Sequence, residues 1–86
     1  MKKIIIEKLT DIVINKFGKE YASLIEVSRV TKHHIDADFY SNIAMKLAKF
    51  LKQNPANIAK DITEEIMELD GVSVSVAKPG YINFQI

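Results

Sequence analysis

The hydrophobic positions in the first third of the chain change from helical spacing to alternation. Between Lys2 and Lys16, apolar residues recur at helical intervals, which predicts an amphipathic helix with one buried face. Gly18 follows as the expected C-terminal stop. Between Leu24 and Val30, apolar and polar residues alternate, and this pattern predicts a strand. The buried stripe of the helix is expected to consist of Ile5, Leu9, Ile12 and Val13.

Two further helices are predicted in the middle of the chain. The first spans Asn42 to Lys52 with Ser41 as its N-cap. The second begins at Pro55, with Asn54 as its cap, and Asp70-Gly71 closes it. The inward faces are expected to consist of Ile43, Leu47, Phe50 and Leu51 in the first of these helices and of Ile58, Ala59, Ile62, Ile66 and Leu69 in the second.

The C-terminal segment predicts a β-hairpin. Val72, Val74 and Val76 alternate with small residues, as in a strand with one buried face. Pro79-Gly80 is expected to form a two-residue type II turn, because proline presets the first φ and glycine accepts a positive second φ. Alternation along the return strand, 81–86, assigns Ile82, Phe84 and Ile86 to one face and Tyr81, Asn83 and Gln85 to the other.

These elements do not alternate as βαβ units would, so the pattern predicts an α+β fold. We expect one domain over residues 1–86, in two layers: a small antiparallel sheet of three or four strands with helices packed on one face. In the segment 31–40, the alternation of Ile35, Ala37 and Phe39 allows a short strand. The core is expected to contain Leu9, Ile12, Val13, Val27, Leu47, Leu51, Ile62, Ile66, Val74, Val76, Ile82 and Phe84.

Charge and composition narrow the range of functions. The chain has no cysteine, which excludes disulfides and thiolate metal sites and is typical of a reducing cytoplasm. The apolar run at residues 4–6 ends at Glu7, too early for a membrane span, so a soluble cytoplasmic protein is expected. Residues 1–60 carry a net charge of +5 and residues 61–86 a net charge of −4. This asymmetry allows a local basic face for phosphates.

No catalytic constellation emerges from the ionisable residues. His33 and His34 are adjacent, and in an extended segment their side chains point to opposite sides, so a surface loop is favoured over a metal site. The carboxylates between Asp61 and Asp70 repeat at helical spacing on an outer helix face, where they stay hydrated. No metal ion and no catalytic residue are therefore predicted.

Tyr81, Asn83 and Gln85 form a different kind of group, because all three project from the same face of one strand. An aromatic ring beside amides suits an unstacked base, which the ring supports while the amides pair with its edge. Lys78, just before the turn, would reach a neighbouring phosphate. Lys46 and Lys49 in the second helix are further candidates for phosphate contacts. Periodicity alone favours this interpretation and an ordinary polar sheet face equally.

Three segments resemble motifs of arginyl-tRNA synthetases, in the same order along the chain. Residues 38–49, Asp-Phe-Tyr-Ser-Asn-Ile-Ala-Met-Lys-Leu-Ala-Lys, resemble the family's Gly-Asp-Tyr-x-Thr-Asn-x-Ala-Met-x-Leu-Ala-Lys segment. Residues 54–59, Asn-Pro-Ala-Asn-Ile-Ala, resemble its Asn-Pro-x-x-Ile-Ala helix opening, and residues 79–84, Pro-Gly-Tyr-Ile-Asn-Phe, its Pro-Gly-Phe-Ile-Asn-Phe hairpin. Ala37 and Lys78 stand where the family often has glycine.

The resemblance implies the additional N-terminal domain of such an enzyme, an α+β domain that contacts the D-loop at the outer corner of tRNA(Arg). Its contacts would fall on Lys78, Tyr81 and Asn83. The implied partners are tRNA(Arg) and the catalytic domain of the same polypeptide, with no membrane and no DNA. The chain would be a fragment without the catalytic and anticodon-binding domains, inactive alone and without a cofactor, whereas the parent ligase would use ATP. The alternative is a protein-interaction or scaffold domain that makes no contact with nucleic acid.

Overall fold

The computed structural model describes residues 1–32, 35–66, 69 and 71–86. Three α-helices, one 3₁₀ helix and four strands occur within these ranges. In chain order they are α1 (Lys2–Lys16), the 3₁₀ helix (Lys19–Leu24), β1 (Ser28–Arg29), β2 (Phe39–Ser41), α2 (Ile43–Leu51), α3 (Pro55–Ile66), β3 (Ser73–Ala77) and β4 (Tyr81–Gln85).

The four strands form one antiparallel sheet in the order β1-β2-β4-β3. The central strand β4 contacts both α2 and α3, and its residues Ile82 and Phe84 are completely buried. The helices therefore cover one face of the sheet, and no helix in the described parts of the chain covers the other, which we call the uncovered or open face. This arrangement confirms the predicted two-layer α+β fold.

Helix α1 has the predicted bounds and the predicted buried stripe. The amides of Phe17 and Gly18 both donate hydrogen bonds to the carbonyl of Val13, which ends the helix. Gly18 has a φ of 122°, a value that residues with a Cβ rarely adopt. The expectation that Gly18 stops the helix is thus confirmed.

The predicted strand from Leu24 to Val30 is wrong over most of its length. Leu24 ends the 3₁₀ helix, and only Ser28–Arg29 pair with β2. The alternation arises because Val27 is buried while its neighbours are not, as the chain passes along the edge of the core. In the segment 31–40 the strand begins only at Phe39, and Ile35 lies outside it.

Helix α2 begins one residue later than predicted, because Ser41 still belongs to β2 and Asn42 occupies the cap position. Ser41 is nevertheless buried, and its Oγ accepts a hydrogen bond of 3.2 Å from the amide of Ile43. Phe50, expected on the inward face of this helix, is 62% exposed. It lies at the margin of the apolar stripe, where its ring meets that of Tyr21 at 6.0 Å.

Helix α3 begins as predicted. Asn54 Oδ1 accepts a hydrogen bond of 2.8 Å from the amide of Ala56, as an N-cap should, and Pro55 is the first helical residue. Leu69 is half-buried beyond the end of the helix, and Asp70 lies outside the described residues. The inward face is confirmed for Ile58, Ala59, Ile62 and Ile66.

The hairpin has the predicted strands, but its turn and one of its core residues differ. Lys78, Pro79 and Gly80 connect the strands, and Gly80 does not have the positive φ that a type II turn requires, so the predicted type II turn is wrong. Gly80 instead allows close packing, because a Cβ added there would lie 2.9 Å from the Cβ of Pro55.

Three residues predicted in the core are less buried than expected. Val76 is 41% exposed because β3 is the edge strand. Leu51 and Val74 are half-buried at the margin of the core.

Phe84 and Val76 provide a test of this assignment of faces. Phe84→Ala should lower the free energy of unfolding by about 3–5 kcal/mol, because it empties a fully buried site in the central strand. Val76→Ala, on the exposed edge of the same hairpin, should cost less than about 1 kcal/mol. Denaturant unfolding measures both, and equal losses for the two variants would contradict the observed burial.

Candidate nucleic-acid interface

The uncovered face of the sheet is built by the register of its strands. Tyr40 in β2 lies opposite Asn83 in β4, and Asn83 lies opposite Ser75 in β3. Residues directly opposite each other in antiparallel strands share a face of the sheet. Since Ile82 and Phe84 face the helices, their neighbours Tyr81, Asn83 and Gln85 project from the uncovered face, as predicted.

Tyr40 and Tyr81 form an aromatic pair on this face. Their ring centroids are 5.9 Å apart and their planes meet at 77°, an edge-to-face geometry. The interaction favours a particular orientation of the Tyr81 ring, which remains 38% exposed. The Tyr81 ring therefore has a favoured orientation and an exposed surface that a flat ligand can contact. Tyr40 was not among the predicted site residues.

A groove of about 400 Å³ opens beside this pair. Tyr40, Tyr81 and Asn83 form its aromatic and amide side. The connection between β1 and β2 also lines the groove, with Val30, Thr31, Lys32 and Ile35. Lys78, at the start of the hairpin turn, also lines the groove. The structure thus brings Lys78, Tyr81 and Asn83 together around one concave site.

Charge is distributed unevenly along β4. The exposed side chain of Lys78 lines the groove at the hairpin turn, and the exposed Lys32 of the connection between β1 and β2 lines the groove as well. At the other end of the strand, Gln85 Nε2 donates a 2.8 Å hydrogen bond to Asp36 Oδ1. Beside it, the amide of Ile86 donates a 2.7 Å hydrogen bond to a carboxylate oxygen of Asp38. One end of the open face is therefore basic and the other acidic.

Lys46 and Lys49, the two candidates in α2, lie in the helical layer and not on the open face. Lys46 Nζ donates to the carbonyl of Leu24 at 3.1 Å and pairs with Glu26 at 3.2 Å. Lys49 is exposed. The structure does not bring either lysine to the groove.

Sequence reasoning missed Lys32 as well as Tyr40. Lys32 precedes the short alternation of Ile35, Ala37 and Phe39, so no local pattern assigned it to a surface. Tyr40 follows that alternation, and its pairing with Asn83 shows which face of the sheet it occupies. The predicted connection between two strands was the one signal that could have placed Lys32 near the sheet.

The ionisable groups outside the groove form no metal cluster in the residues that the structure describes. Over 1–32, 35–66, 69 and 71–86, no group of three or more metal-ligating side chains comes together. His33 and His34, weighed above as metal ligands, lie outside these ranges. Asp61 and Glu64 on α3 are exposed, and Glu65 Oε1 lies 3.7 Å from Lys16 Nζ. None of the helices in the described parts of the chain is long and apolar enough to cross a membrane.

The fold and the groove define a small α+β domain with one uncovered sheet face, where aromatic, amide and cationic groups meet. The chain belongs to the arginyl-tRNA synthetase N-terminal domain family, which matches residues 1–86. This match confirms the resemblance found in the motifs of the sequence.

Individual relatives agree with the family match. The chain is 34% identical over 89 residues to a protein of Ehrlichia ruminantium named arginine–tRNA ligase, with 100% of this chain and 16% of the relative covered. Proteins of the same name from Listeria monocytogenes and Thermotoga maritima are 35% and 32% identical, over 95% and 91% of this chain and 15% and 14% of their own lengths. The chain thus spans about a sixth of the length of these relatives.

The contact between Tyr40 and Tyr81 can be measured by a double-mutant cycle. Tyr40→Ala, Tyr81→Ala and the double variant should reveal a coupling free energy of about 0.5–1.5 kcal/mol in denaturant unfolding, since edge-to-face pairs contribute that much. Tyr21→Ala combined with Tyr81→Ala is the control and should be additive, because Tyr21 lies in the helical layer against Phe50. Strict additivity of the Tyr40 and Tyr81 variants would exclude the contact.

Proposed function

We propose that this chain is the tRNA-docking domain of an arginine–tRNA ligase. Its open sheet face contacts the D-loop at the outer corner of tRNA(Arg) and positions the tRNA for aminoacylation by a catalytic domain of the same polypeptide. ATP and arginine bind to that catalytic domain. The observation that carries the proposal is the convergence of Tyr81, Asn83 and Lys78 on one groove of the uncovered face.

The groove offers each part of an unpaired nucleotide a matching group. The exposed ring of Tyr81 provides a stacking surface, and every base has a flat face to place on it. The amide of Asn83 supplies both a donor and an acceptor for the edge of the base. Lys78 is exposed at the groove and supplies positive charge for a phosphate.

The other residues predicted to contact tRNA are less well placed to bind the base. Gln85 projects from the same face, but one of its amide hydrogens is already donated to Asp36. Lys46 and Lys49 would reach tRNA only if it also approached the helical layer. We therefore assign the base to Tyr81 and Asn83 and keep the other three as secondary candidates.

The 86-residue chain alone is expected to be catalytically inactive. Ser41 is the one buried polar side chain among the described residues, so these contain no desolvated acid or base suited to catalysis. A mixture with arginine, ATP and labelled pyrophosphate should show no exchange above buffer. Reproducible exchange that a single substitution abolishes would contradict this prediction.

Replacing the ring of Tyr81 should weaken tRNA binding by the full-length protein. Tyr81→Ala removes the stacking surface and should cost roughly 1–3 kcal/mol of binding free energy. The loss should raise the KM for tRNA and leave amino-acid activation nearly unchanged, because the domain positions tRNA without taking part in the chemistry. Tyr81→Phe is the matched control and should be mild, since it keeps the ring.

Asn83→Ala should also weaken tRNA binding, because the base edge loses its hydrogen-bonding partner. Affinity should be measured at one fixed salt concentration for both alanine variants, after unfolding experiments have shown that each is folded. If both variants bind like the wild type, the open face is not the docking surface. The scaffold or protein-interaction function would then replace this proposal.

A further inference from the structure

The groove is more basic at one end of β4 than at the other, and this polarity bears on how RNA would lie across the face. Lys78 lines the groove at the hairpin turn, and Lys32, from the connection between β1 and β2, lines the same groove. Asp36 and Asp38 are exposed at the opposite end, where they accept hydrogen bonds from Gln85 and from the amide of Ile86. A polyanion is attracted electrostatically at the first end and repelled at the second.

We infer that Lys32 binds the phosphate of the nucleotide whose base lies on Tyr81. The RNA backbone then crosses the open face at the turn end of β4 and stays away from the Gln85 end. The inference rests on the proposed function, and it adds a phosphate-binding residue from outside the hairpin as well as a direction for the strand.

The position of Lys32 supports this assignment. It belongs to the connection between β1 and β2, which lines the same groove as Tyr81 and Asn83. A ligand that fills the groove would contact both the aromatic ring and Lys32. Lys32 is exposed, so its flexible side chain can follow a phosphate at the mouth of the groove.

The size and lining of the groove favour a single unpaired nucleotide over a duplex. Its volume of about 400 Å³ lies at the lower end of the range for small-molecule sites. Val30 and Ile35, both half-buried, add apolar surface to its lining. A base released from stacking can enter such a space, whereas a paired base cannot leave its helix without cost.

The acidic end of the face accounts for the direction of the backbone. Gln85 and Asp36 are joined by a hydrogen bond of 2.8 Å, which uses one donor of the amide and leaves the carboxylate beside it. A phosphate placed there would meet two exposed carboxylates, those of Asp36 and Asp38. At the other end of β4, Lys78 lines the groove at the start of the hairpin turn.

The test compares the salt dependence of tRNA(Arg) transcript binding for variants of the full-length protein. Lys32→Gln should make the fall of log affinity with log salt shallower by about 0.7–0.9 in slope, the value for one neutralised phosphate. Lys60→Gln is the charge-matched control and should leave the slope unchanged, because Lys60 lies on α3 next to the exposed Asp61 and Glu64. Tyr81→Ala should lower the affinity with little change in slope.

Two further variants test the shared nucleotide and the direction of the strand. In the double variant Lys32→Gln/Tyr81→Ala, the loss of affinity should be smaller than the product of the single losses, since both residues hold one nucleotide. Ser73→Lys adds a charge opposite Gln85 on the exposed edge strand and should leave the slope unchanged. A salt dependence that becomes steeper by about 0.7–0.9 in slope in that variant would place the RNA backbone at the Gln85 end and overturn the inference.

The outcomes separate this inference from the proposed function. If Tyr81→Ala weakens binding while Lys32→Gln behaves like Lys60→Gln, the inference is wrong and docking through the open face stands. Fully additive losses for Lys32 and Tyr81 would also overturn it, because Lys32 would then contact a different phosphate. If Tyr81→Ala and Asn83→Ala both bind like the wild type, the proposed function fails and the inference with it.

Discussion

The pairing of β4 on both of its edges is the constraint on which the rest of the domain depends. With β2 on one side and β3 on the other, β4 cannot rotate about its axis, and its alternation fixes two surfaces at once. Ile82 and Phe84 supply the apolar floor on which α2 and α3 pack, and Tyr81 and Asn83 are held on the opposite face. A slip of one residue in this register would bury the candidate site and expose the core.

A second contact ties the candidate site to the helical layer. Gly80 in the hairpin turn lies so close to Pro55 that even a methyl group would collide with the start of α3. The Asn-Pro opening of that helix and the Pro-Gly turn are separate motifs in the sequence, and they meet here in space. The position of the turn, and with it that of Lys78 and Tyr81, is therefore set by the same helix that covers the core.

The two faces of the sheet divide stability and recognition between them. The core lies between the sheet and the helices, and Ser41 is the one buried polar side chain in the described part of the chain. The polar and aromatic groups that can contact a ligand lie on the uncovered side, where the groove brings together residues from two connections and three strands. Substitutions in the groove can thus alter binding without opening the core, which makes this face testable by mutation.

The sequence by itself determined the family, through three motifs in order, and the helices α1 and α3 and the faces of β4, because each of these elements has its own period. Only the tertiary structure decided that Val76 lies on an exposed edge and Phe50 at the margin of α2, since burial requires a neighbour that a local pattern does not contain. The same holds for the groove. Strand pairing places Tyr40 beside Asn83, and the connection between β1 and β2 brings Lys32 to the groove that Tyr81 lines. A local pattern reports which side of an element is apolar, whereas long-range pairing decides which elements meet there.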